Sequence, residues 1–186
     1  MKALLLSLLP LVLAGPVLAG DLAGVTLPDR ITLEGETLLL NGMGLREATL
    51  LKVDVYVAGL YLERKSSDPA AILASGEAKR LVMKFVRKVS REDLVRAWNE
   101  AFEKNTAKEL PALKDRLATL NSWMADLATG DVITFTEIPD QGVKVELKGQ
   151  DRGTLPGTDF ARALWSVWLG PSPPNPGLKT GLLGRP

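Results

Sequence analysis

The chain has 186 residues, carries 23 Lys and Arg against 22 Asp and Glu, and contains neither His nor Cys. That composition excludes a Ser-His-Asp triad, a Cys nucleophile, a His-ligated metal and a zinc cluster of Cys and His, and a formal charge of +1 provides no basic stripe for a nucleic-acid backbone. Hydrophobic residues at 46% are enough for the core of a single domain.

The amino terminus reads as an export leader. Lys2 supplies a positive start, Ala3 to Leu13 is apolar apart from Ser7 and Pro10, and Gly15-Pro16 ends the run. Val17-Leu18-Ala19 then sets up a cleavage site after Ala19, so residues 1–19 are expected to be a signal peptide and residues 20–186 the single mature domain. Two prolines and two glycines in the first twenty residues argue against an uncleaved anchor. Without Cys there is neither a lipid attachment point nor a disulfide. The mature chain is expected to be periplasmic or secreted, with no stable membrane span.

Leu27 to Asn41 has a strand-like pattern around a turn at Glu34-Gly35-Glu36. Thr49 to Leu62 is the densest strand signal. Leu51, Val53, Val55 and Val57 alternate with Lys52, Asp54 and Tyr56 before Ala58, Leu60 and Leu62 make both faces apolar. Asp68-Pro69 opens a short helix that Gly76 ends, and Lys79 to Lys88 is a further strand whose Leu81, Met83 and Phe85 face away from Lys84. Ser90 starts a helix with Leu94, Trp98, Ala101, Phe102 and Asn105 on one stripe. Leu110, Leu113, Leu117, Leu120, Met124 and Leu127 mark a second helix running to Gly130.

Val132 to Glu137 and Val143 to Leu147 form a hairpin across Pro139-Asp140-Gln141-Gly142. Thr158-Asp159 caps a third helix with Phe160, Ala163, Leu164, Val167 and Trp168 on its apolar face, and Leu178, Leu182 and Leu183 suggest a last docking turn. The fold class is therefore α+β, an antiparallel β-sheet covered on one face by a layer of α-helices.

Arg46 is the foremost candidate for function. It follows Gly42-Met43-Gly44, where the glycines permit a sharp turn or a close backbone approach, and precedes the most apolar strand. A guanidinium there can grip a carboxylate in bidentate fashion, or it can simply cap the strand end or pair with Glu47. Tyr56 lies on the more polar face of its strand and can donate to a ligand oxygen; Tyr61 lies on the other face. Lys84 reads as solvent-facing. Trp98, Trp123, Trp165 and Trp168 fall on helices and read as core anchors, and Glu92-Asp93 is explained by a helix start.

The segments Asn41-Gly42-Met43-Gly44-Leu45-Arg46 and Val53 to Glu63, with its Gly59-Leu60-Tyr61-Leu62-Glu63 end, resemble the chalcone-isomerase-like family. The likeness continues through Gly142 to Leu147, Gly153 to Gly157, Phe160 to Leu164, Trp168-Leu169-Gly170 and Leu178 to Gly184. The resemblance implies an open-faced sandwich with a ligand cleft between sheet and helices, in which Arg46 matches an Arg that holds an oxyanion in the plant enzymes and a carboxylate in fatty-acid-binding relatives. The catalytic pattern of the plant enzymes does not carry over. Tyr56 stands near a strand Thr, Val89 near the catalytic Tyr, Glu92 and Arg96 near a helix Lys and Asn, and Val167 near a late-helix Thr. The expectation is a non-catalytic exported protein without a resident cofactor, holding a small hydrophobic or amphipathic ligand such as a fatty acid through Arg46 and Tyr56. The alternatives are an isomerase or intramolecular lyase acting on another enone, and haem or tetrapyrrole binding, for which Tyr, Met or Lys would have to serve as axial ligand.

Overall fold

The computed structural model describes residues 18–48 and 52–185. The expected leader falls outside these residues except for Leu18 and Ala19, and so do Thr49 to Leu51 at the head of the expected strand.

Two short strands, β1 (Leu18–Leu22) and β2 (Val25–Pro28), form a separate hairpin. Its turn, Ala23-Gly24, has positive φ at both residues (49° and 72°), which matches the twist of the strands it joins. Seven more strands, β3 (Arg30–Leu33), β4 (Glu36–Ala48), β5 (Val53–Leu62), β6 (Lys79–Phe85), β7 (Val132–Ile138), β8 (Gly142–Leu147) and β9 (Gln150–Leu155), make one antiparallel sheet in simple chain order. Helix α1 (Pro69–Ala74) lies between β5 and β6, α2 (Arg91–Thr106) and α3 (Leu110–Trp123) between β6 and β7, and α4 (Thr158–Leu169) and α5 (Pro176–Leu182) follow β9.

Strand alternation sends two sets of side chains to opposite faces. Tyr56, Ala58, Leu60 and Leu62 of β5, Leu81, Met83 and Phe85 of β6 and Ile133 and Phe135 of β7 meet the helices in the main core. On the other face, Val57 and Tyr61 of β5 join Leu38, Leu40, Val25 and Leu27 in a smaller cluster beneath the β1–β2 hairpin. A Cβ at Gly59 would come within 2.3 Å of Leu27 Cδ1, so the bare backbone there lets the hairpin seat. This is why β5 reads as apolar on both faces although helices cover only one.

Several boundaries differ from the sequence reading. Gly42-Met43-Gly44 is not a turn; it lies inside the thirteen-residue strand β4. The glycines serve close approach instead: a Cβ at Gly42 would stand 2.1 Å from the Gly181 carbonyl oxygen, and one at Gly44 2.3 Å from that of Leu178. Helix α5 thus lies backbone against backbone on β4. The second long helix stops at Trp123, where Met124 turns extended, and Leu127 reaches the core through a bridge with Val89. Gly157, at φ 98°, takes the N-cap position of α4 that Thr158-Asp159 was expected to fill. Strands β1, β2 and β9 went partly or wholly unread, and β6 ends at Phe85.

Buried polar groups pin the elements together. Asn41 sits where the β4–β5 register shifts; its Nδ2 donates to the carbonyls of Ser66 (2.9 Å) and Leu182 (2.8 Å), and its Oδ1 accepts from Ser66 N (2.8 Å). Lys79 and Glu137 are register partners on β6 and β7. Lys79 Nζ donates to Glu137 Oε2 (2.7 Å) and the Ser75 carbonyl (2.9 Å), and Trp165 Nε1 donates to the same carboxylate oxygen. Both charges are compensated, as burial requires.

The close seat of α5 yields a direct expectation. Gly44→Ala forces backbone away from backbone and should cost about 3 kcal/mol or more of stability, in the upper range of overpacking. Gly76→Ala, with nothing within 4 Å of the added carbon, should change stability by less than about 0.5 kcal/mol. Urea denaturation of both variants measures this, and equal midpoints would contradict the contact.

Candidate functional site

Arg46 is carried by β4 opposite Tyr56 of β5, and the register is irregular immediately after this pair. Directly opposed residues project to the same face, so guanidinium and phenol both reach the helix side at one end of the sheet. They line a cleft of about 470 Å³ closed by Met83 and Phe85 of β6, by Leu94 and Trp98 of α2, by Val167 of α4 and by Ser172-Pro173-Pro174 of the tail. The volume falls within the usual range of small-molecule sites.

Arg46 is half-buried. Its Nη1 donates to the backbone carbonyl of Glu47, and among the described residues no carboxylate forms an ion pair with it. The pairing with the Glu47 side chain that the sequence left open is therefore absent, while the strand-end role accounts for one of five N–H groups. Tyr56 is only 7% exposed. Its hydroxyl accepts from Trp168 Nε1 at 3.2 Å, and among the described residues none accepts its own proton. Burial pushes its pKa up to about 12, against smaller opposing effects of the Trp168 hydrogen bond and the Arg46 charge. The phenol is thus a neutral donor at physiological pH, not a base.

The mouth of the cleft has its own charge balance. Arg46, Arg87, Lys88, Arg96 and Lys104 line it with only Asp93 and Glu100. Arg96 pairs with Asp93, and Lys104 with Glu100 at 3.6 Å, leaving Arg46, Arg87 and Lys88 without an ion-pair partner among the described residues. A chain that is nearly neutral overall concentrates positive potential at this opening, which favours an anionic guest.

The other singled-out residues lie elsewhere or act differently. Tyr61, on the opposite face, donates to the Pro28 carbonyl at 3.0 Å and anchors the hairpin. Lys84 is half-buried and paired in register with Val57 and Val132, outside the cleft. Val89, Arg96 and Val167 do line the cleft, whereas Glu92 does not. A larger depression of about 630 Å³ lies beside α1, but its one buried cation, Lys79, is already committed to Glu137. Sequence reasoning missed the Trp168–Tyr56 bond, which joins residues 112 apart, and the cationic rim from the loop after β6. Among the described residues no cluster of acidic side chains could hold a metal, and no helix is long and apolar enough to cross a membrane.

A family model described as chalcone isomerase-like matches residues 19–184. No curated protein matches by sequence. Among solved structures, the crystal structure of an Arabidopsis thaliana fatty-acid binding protein, AtFAP1, superposes with a TM-score of 0.67 over 86% of this chain and 92% of that one, at 16% identity. At that identity the likeness establishes the fold, an open-faced sandwich of curled antiparallel sheet and helices.

The buried phenols predict the alkaline limit of the fold. Tyr56 and Tyr61 both have folded pKa values raised to about 12 from the ordinary value near 10. Above pH 10 the unfolded chain loses these protons first, so the stability that each neutral phenol confers is complete below pH 10 and is lost between about pH 10 and 12. Thermal unfolding should be insensitive to these groups from pH 7 to 9 and fall beyond pH 10, and Tyr56→Phe should flatten that fall. Identical slopes in the two proteins would contradict the burial of Tyr56.

Proposed function

The chain belongs to the chalcone isomerase-like family, and from that premise we propose that it is an exported, non-catalytic protein that binds a small amphipathic carboxylate of fatty-acid type. The observation that carries this reading is the cross-strand pair: Arg46 and Tyr56 line one cleft together with the apolar side chains of Met83, Phe85, Leu94 and Val167. A carboxylate placed there takes charge-assisted hydrogen bonds from the guanidinium fork and one from the phenol, while its hydrocarbon lies against Met83, Phe85, Leu94 and Val167. The cations at the mouth raise the local concentration of such an anion.

Two further observations support binding over catalysis. At the cleft positions where the resemblance would put a proton-donating phenol and a hydroxyl, this chain has Val89 and Val167, and neither can transfer a proton. The cross-strand pair, a cation and a phenol held neutral by burial, can anchor a carboxylate but does not by itself orient a nucleophile and stabilise an enolate together. The fold shared with a protein titled as fatty-acid binding is consistent with the same use of the cleft. Export rests on the leader pattern of residues 1–19, and the family match begins at residue 19.

Titration of a fluorescent fatty acid tests the reading. Arg46→Ala should weaken binding about tenfold or more and Tyr56→Phe by a smaller factor, as expected for hydrogen bonds to a charged group. Affinity should also fall as salt is raised, because the rim is solvent-exposed. Equal affinities of wild type and Arg46→Ala would remove the guanidinium from the site, and turnover of a chalcone that Arg46→Ala abolishes would replace binding by catalysis.

A further inference from the structure

Three tryptophans lie in the main core with 4% exposure or less: Trp98, Trp165 and Trp168. Two of them spend their indole N–H inside the protein, Trp165 on Glu137 and Trp168 on the Tyr56 hydroxyl. The third does not. Trp98 Nε1 is buried and, among the described residues, has no hydrogen-bond partner, and Trp98 lines the Arg46–Tyr56 cleft. An orphaned buried donor costs free energy that a folded chain ordinarily avoids, and each such group calls for an explanation.

Position supplies one. Trp98 projects from α2 on the stripe with Leu94 and Ala101, which also line the cleft. Its ring meets Trp168 edge-on at 5.7 Å and Phe135 at 5.5 Å, and Trp168 in turn holds the Tyr56 oxygen. The unspent indole donor therefore belongs to the same aromatic cluster that positions the phenol.

We propose that Trp98 Nε1–H is a third donor to the ligand headgroup, completing with Arg46 and Tyr56 a site that selects an ionised carboxylate over its ester or alcohol. This inference rests on the carboxylate-binding reading above and adds to it the residue that sets headgroup specificity. A carboxylate offers two oxygens with about four acceptor positions, enough to satisfy three donors. An ester has one good acceptor oxygen and no charge, and leaves at least one donor unmet in a buried place. Discrimination against a group that cannot pair with buried donors is the strongest kind of polar selectivity.

The test uses the full mature protein, decanoate and methyl decanoate as probes, and Trp98→Phe, which keeps an aromatic ring and deletes the donor. Isothermal titration should show decanoate binding weakened about five- to tenfold in the variant, with methyl decanoate unchanged, so that the acid-to-ester preference shrinks by the same factor. In wild type labelled with nitrogen-15, the Trp98 indole resonance should move on decanoate addition and stay in place on ester addition. An unchanged acid-to-ester ratio with wild-type binding intact overturns the role of Trp98 and leaves the carboxylate site standing. A Trp98 indole resonance that decanoate leaves in place overturns it too, because the N–H would then lie outside the reach of the headgroup. If wild type binds neither probe, both readings fall together.

Discussion

The absence of two side chains governs the ligand side of this molecule. Gly42 and Gly44 leave β4 bare along one face, and α5 fills the space at a separation that any Cβ would forbid. The seat is locked from both ends: Asn41 holds the Leu182 carbonyl, and Asn175 Nδ2 donates to the Leu45 carbonyl at 3.1 Å. Lys179 Nζ, bonded to the Gly170 carbonyl at 2.7 Å, pulls the preceding loop inward, and that loop carries Ser172 to Pro174 into the cleft wall. The glycine motif beside Arg46 thus shapes the cleft through the packing of the tail.

The cleft combines three scales of electrostatics. The whole chain is close to neutral, the mouth is cationic, and the interior is apolar with a phenol held neutral by burial. Steering acts from outside, through charges that salt can screen. Anchoring acts inside, through donors whose hydrogen bonds strengthen in low dielectric. The buried Lys79–Glu137 pair at the other end of β6 and β7 shows that the fold also tolerates full charges in its core. There the two charges are bonded to each other and to Ser75 and Trp165, whereas among the described residues part of the hydrogen-bonding capacity around Arg46, Tyr56 and Trp98 is left over.

What the sequence made legible follows from locality. The apolar run of β5, the strict alternation of β6, the Ser90 and Asp68 caps, the Glu34-Gly35 turn and the Asp140–Gly142 hairpin are each written within a few neighbouring residues, and each is present. Strand β9 was illegible because Gln150-Asp151-Arg152-Gly153 has a polar, half-exposed pattern, and its pairing rests on the positive-φ turn at Lys148-Gly149 and on its partner β8. The end of α3 was hidden because Met124 and Leu127 keep the apolar spacing while the backbone leaves the helix to meet Val89. Arg46 and Tyr56 could be singled out as a cation and a phenol near glycines. That they are opposed across two strands, and that Trp168 holds the phenol, depends on register and on a contact across 112 residues, which no local pattern encodes.

The aromatic cluster beside the cleft has an optical consequence. Trp98 and Trp168 meet at 5.7 Å and Trp168 and Trp165 at 6.3 Å, with Tyr56 bonded to the middle indole. Chromophores so closely spaced share excitation, and the one nearest the phenol senses any change in its polarity. The molecule thus carries an intrinsic emission gauge wired to its own cavity, and filling or emptying that space should register in unlabelled protein as a change of colour or intensity.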